Sequence, residues 1–78
     1  MSRFILQKSE EKPQHLVCTD TDHNIVCVFK EHEFNDTQKF TLLDGDTFKT
    51  QEEALSYATF MREMGDWLAR YHQDIVFY

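Results

Sequence analysis

The stretch HLVCTDTDHNIVC, residues 15–27, gathers the side chains best suited to chemistry: two cysteines, two histidines and the series Asp20, Asp22, Asn24. Three chemistries compete for it. As a zinc site it lacks the tight ligand pairs that let one knuckle present two donors, since Cys18 and Cys27 stand nine positions apart with no second close pair. As a calcium loop it sets Asp20, Asp22, Asn24 and Glu31 at ligand spacing, yet Ile25 falls where the sharp turn needs glycine. Apolar alternation flanks the loop where two helices should be, and Asp and Asn are ordinary turn residues. No metal and no cofactor is expected. The stretch reads as a β-hairpin.

Two hairpin registers follow. With Asp22-His23 as a two-residue loop, Cys18 lies opposite Cys27. Counting from a hydrogen-bonded closing pair then puts the cysteines at a non-hydrogen-bonded position, about 4.5 Å apart at Cα, within disulfide reach. With a three-residue loop and a left-handed Asn24, Cys18 opposes Val28 and the thiols point to opposite faces. Cys18 and Cys27 are therefore a candidate redox pair, weighed against two reduced cysteines packing as small hydrophobes.

Catalytic sets are absent at the level of spacing. A nucleophile needs an oriented base beside it; Ser2 and Ser9 lie near the terminus or in a loop, and Ser56 has no elbow motif around it. Cys27 and His32 fall on opposite faces of one strand, about 16 Å apart. Glu31 and Glu33 share a face, but such pairs are usually the solvated end of a strand. There is no phosphate-binding glycine loop and no H-E-x-x-H. A non-enzymatic protein is expected.

These residues must be positioned by a small framework. The chain of 78 residues implies one domain, 1–78, with a modest core that association commonly supplements. Seven Phe among eleven aromatics argue for packing, and two Gly with one Pro argue against a loop-rich scaffold. The formal charge of −6, from 14 acids against 8 scattered bases, disfavours contact with a phosphate backbone, so no direct nucleic-acid binding is expected. No apolar run approaches the roughly 20 residues needed to span a bilayer, and no leader opens the chain, so a cytoplasmic protein without membrane contact is expected.

Along the chain, RFILQ reads as a first strand and SEEKPQ, residues 9–14, as a break that Pro13 keeps from being strand interior. HLVCT and NIVCVFKEHEF carry strand composition, a second break falls at Asn35-Asp36, and TQKFTLL reads as another strand before the turn Asp44-Gly45-Asp46. The period then changes. Thr50 and Glu53 have capping-box spacing, and Tyr57, Phe60, Met61, Met64, Trp67, Leu68 and Tyr71 form one helical stripe. One continuous helix to about Tyr71 is predicted, despite Gly65 inside it. DIVFY has strand composition and is a candidate to return to the sheet edge. The expected fold is α+β: an antiparallel meander of three to five strands, one long C-terminal helix packed on one face, and a possible short terminal strand.

The third strand carries more apolar surface than one helix can cover. Ile25, Cys27 and Phe29 share one face, but Val26 and Val28 make the other apolar too. Termini folding over that face would explain this, as would a partner. Val26, Val28, Phe60, Trp67 and Tyr71 are the interface candidates, and a homodimer is the expected partner. The functional expectation is a small protein-interaction or regulatory module. The alternative is an acidic inhibitor or nucleic-acid mimic of the bacterial or phage accessory type, carried by Asp44, Asp46, Glu52, Glu53 and Glu63 if these form one patch.

Overall fold

The computed structural model describes residues 3–77. It is an α+β arrangement: four antiparallel strands in the order β1-β2-β3-β4, followed by a long helix. The strands are β1 (Phe4–Lys8), β2 (His15–Asp20), β3 (Ile25–Lys30) and β4 (Lys39–Leu42). A single helical turn, α1 (Phe34–Thr37), interrupts β3 and β4. The long helix is α2 (Gln51–Tyr71), and a last turn, α3 (Gln73–Val76), closes the described chain.

Burial along β2 and β3 alternates strictly, as a pleated strand with one covered face requires. Leu16, Cys18 and Asp20 of β2 face Ile25, Cys27 and Phe29 of β3, and all six are buried. Met64 and Leu68 of α2 close over them, with Phe34 of α1 and Val76 of α3 at the margin. The helix starts as its sequence demands. Thr50 is extended and its Oγ1 accepts from Glu53 N–H at 3.0 Å, satisfying one of the orphan donors of the first turn. The return bond of a capping box is displaced by one residue, since Glu53 Oε2 accepts from Lys49 N–H at 3.3 Å. α2 runs through Gly65 without a break, and there the ring of Phe34 comes down on the helix.

Three local expectations are corrected. β3 ends at Lys30 and does not run on to Phe34: His32 takes a positive φ of 67°, Thr37 Oγ1 accepts from Lys30 N–H at 2.8 Å, and Phe34 turns inward. A strand there would leave Phe34 outside the core. β4 accordingly begins at Lys39 and not at Thr37. The DIVFY segment is no edge strand as far as it is described. α3 caps the end of the core, Val76 is fully buried, and Ile75 C=O accepts from His32 N–H at 2.9 Å. Tyr78 lies outside the described residues.

Candidate interaction surface

The hairpin combines features of both expected registers. Cys18 pairs with Cys27, as a two-residue loop predicts, but Asn24 is left-handed at φ 57° and the turn spans four residues between Asp20 and Ile25. Its bonding phase is opposite to the expected one. Glu31 N–H bonds to Gln14 C=O at 2.8 Å, so even-numbered residues of β2 exchange hydrogen bonds with β3 and the two cysteines form a hydrogen-bonded pair. Such pairs stand about 5.5 Å apart at Cα, with side chains farther apart than at the non-hydrogen-bonded position expected from the two-residue loop. Both are free and fully buried thiols. Burial, reinforced by the charge of Asp20, pushes the Cys18 thiol up to about 12. Burial outweighs a backbone hydrogen bond at Lys39 to bring Cys27 to the same value. Thiolates, the reactive form, are therefore scarce here at neutral pH.

Asp20 is the side chain that sequence reasoning misplaced. It is 0% exposed, at the same strand parity as Leu16 and Cys18, where a turn residue was expected. Burial of a carboxylate is costly unless it is fully bonded. Here Oδ1 accepts from Asp22 N–H at 3.0 Å and His23 N–H at 3.1 Å, while Oδ2 lies 3.0 Å from His23 Nδ1 and 3.3 Å from Arg3 Nε. The Arg3 Nε contact is an ion pair without hydrogen-bond geometry. Arg3 also donates through Nη2 to Glu63 of α2 and stacks its guanidinium 4.5 Å from the Phe4 ring centre. Burial alone would lower the Arg3 pKa, but the bond to Glu63 and the charge of Asp20 outweigh it and raise it. The His23 ring lies nearly parallel to Phe60, centroids 3.6 Å apart. The cluster thus ties the hairpin turn, the start of β1 and the middle of α2 into one polar joint. Strand parity was the available signal: an acid in phase with Leu16 and Cys18 has to be buried and paired.

Among the described residues no helix lies on the opposite face of the sheet. Its strand positions are Ile5 and Gln7, then His15, Val17 and Thr19, then Val26, Val28 and Lys30, then Lys39 and Thr41. Val17, Val26 and Val28 form its centre, and none of these ten positions holds a carboxylate, although the chain carries 14 acids. Ile5 is 43% exposed on the outermost strand. The 8–14 connection borders the surface at one end, leaving an open groove of about 390 Å³ over Val17 and Val28.

The other interface candidates sit on α2 and divide by exposure. Phe60 and Trp67 are partly buried, Phe60 under His23 and Trp67 against Phe4 at 5.3 Å and His72 at 4.8 Å. Tyr71 is 64% exposed. The acidic candidates stand in the connection before α2 and along the helix itself. Asp44 and Asp46 lie in the connection before α2, with Asp46 N–H bonded to Asp44 Oδ1, and Glu52 and Glu53 stand at the helix start. Glu63 lies ten residues further along, about 15 Å at the helical rise, and is engaged by Arg3.

Among the described residues no three His, Cys, Asp or Glu side chains are grouped to hold a metal ion, and no helix is long and apolar enough to cross a membrane. Comparison with known proteins finds no matching family model, no matching curated protein and no matching solved structure.

Proposed function

We propose that this protein is a non-enzymatic protein-interaction or regulatory module that works as a homodimer and presents its open sheet face to a protein partner. The observation that supports this reading is the open face centred on Val17, Val26 and Val28, apolar in the middle and without a carboxylate at its strand positions, on a chain of net charge −6, with Glu10 and Glu11 only at the rim of its groove. A face whose centre is kept free of the charge that dominates the rest of the molecule suits burial against another protein, because desolvating carboxylates opposes association and charged groups belong at an interface rim.

Its size supports the homodimer. Four strands about 4.8 Å apart and some five residues long present roughly 300 Å². A standard interface buries about 800 Å² per partner. One chain therefore offers the centre of an interface and too little of its extent, and a second copy supplies the remainder. Light scattering after size exclusion in reducing buffer, at several protein concentrations, tests this. A dimer is expected, and a monomer at every concentration overturns the homodimeric reading.

A further inference from the structure

The two edges of the sheet differ in a way that locates the joint between copies. At the β4 edge the chain folds back on itself, and Leu42 N–H donates to Asp46 C=O at 2.8 Å. At the β1 edge the phase of the ladder sends backbone groups outward. Thr21 N–H bonds to Arg3 C=O and Ser9 N–H to His15 C=O, so the odd-numbered residues of β1 bond to β2 and the even-numbered ones point away from it. Among the described residues no hydrogen bond reaches the amides of Leu6 or Lys8. A bare edge of this kind is a template for another strand.

We infer that two copies pair β1 against β1 in antiparallel register about Leu6, fusing their sheets into one of eight strands. This rests on the homodimeric reading above and specifies how the dimer is built. The sequence FILQK suits a two-fold axis at its middle residue. Leu6 meets Leu6 of the second copy as a hydrogen-bonded pair, Ile5 meets Gln7, and Phe4 meets Lys8. The outward N–H of Leu6 in each copy meets the Leu6 carbonyl of the other, the outward N–H of Lys8 meets the Phe4 carbonyl, and no charge faces its like. A slip of two residues in either direction leaves end residues unpaired, and a slip of four in one direction sets Lys8 against Lys8, a repulsive match. Lys8 therefore guards the edge against other registers while permitting this one. Ile5, 43% exposed on the bare edge, is covered in part by the second copy. Fusion also joins the two open faces into one surface of roughly 600 Å², so the binding face is incomplete in a single chain.

The experiment compares wild type, Lys8→Pro, Lys8→Gln and Val28→Lys by light scattering, with amide hydrogen exchange and mixed-isotope NMR on wild type. Proline is tolerated where an edge amide points outward, and circular dichroism checks the fold of each variant. The expected result is a wild-type dimer with a protected Leu6 amide and an interchain contact between Ile5 and Gln7 α-protons. Lys8→Pro weakens the dimer by at least about tenfold, while Lys8→Gln and Val28→Lys leave it intact. A dimer that survives Lys8→Pro, or whose Leu6 amide exchanges freely, overturns the edge pairing and leaves the homodimer standing. Loss of the dimer in Val28→Lys alone moves the joint to the open face. A wild-type monomer at every concentration overturns both.

Discussion

The two faces of this sheet are made from the same strands and do opposite things. On the covered face every central position of β2 and β3 is fully buried or nearly so, including an aspartate and two thiols. On the open face the same strands hold Val17, Thr19, Val26 and Val28, all partly exposed. The lesson is that apolar composition does not mark the core here. Burial is decided by which parity α2 covers.

Substitutions can break that contrast, and the largest effects belong to the covered face. Phe29→Ala, opening a cavity beside Phe34, is expected to cost about 3–5 kcal/mol in urea unfolding. Val28→Ala, one residue away on the open face, should cost less than about 1.5 kcal/mol; equal losses would erase the distinction between faces. Asp20→Ala comes close behind, at about 3–5 kcal/mol, because it strands two turn amides and leaves Arg3 without its buried partner. A loss below about 1 kcal/mol would show that the polar joint contributes little to the fold.

The thiols sharpen the contrast through pH. Their folded values of about 12 stand above the ordinary 9.0, so burial favours folding fully below pH 9. That contribution is lost as pH rises from 9 toward 12, because only the unfolded chain can release the protons there. Urea midpoints measured from pH 8 to 11 should fall more steeply for wild type than for Cys18→Ala/Cys27→Ala, and parallel curves would contradict the burial. The smallest effect lies where α2 meets Phe34. A β-carbon at Gly65 would stand 3.8 Å from Phe34 Cε1, ordinary contact, so Gly65→Ala should stabilise the protein by about 0.5–1 kcal/mol in thermal unfolding. Destabilisation would mean that the ring needs the bare backbone.

Much of the framework was legible in the chain because its signals are local. The stripe from Tyr57 to Tyr71 with Thr50 at its start is the helix α2, and apolar alternation in residues 15–30 is the central hairpin. What was not legible depends on tertiary demand. Phe34 and Val76 have strand-compatible neighbourhoods, yet both form helical turns because the ends of the core need a plug. The hydrogen-bonding phase at Cys18 and Cys27 rests on a four-residue turn held by the Asp20 carboxylate, which loop composition alone does not reveal. That Val26 and Val28 share the open face of β3 could be read from parity, whereas the bare β1 edge required knowing which amides turn outward.

The strand order has a kinetic consequence. Each strand pairs with its neighbour along the chain, so the sheet forms by a succession of short loop closures, each with a small entropy cost. The contact of Arg3 with Glu63, sixty residues apart, forms only when the helix docks across the finished meander. The single tryptophan sits at that seam, with Phe4 on one side and His72 on the other. Its fluorescence therefore reports the docking of the helix onto the first strand, apart from the zipping of the sheet beneath.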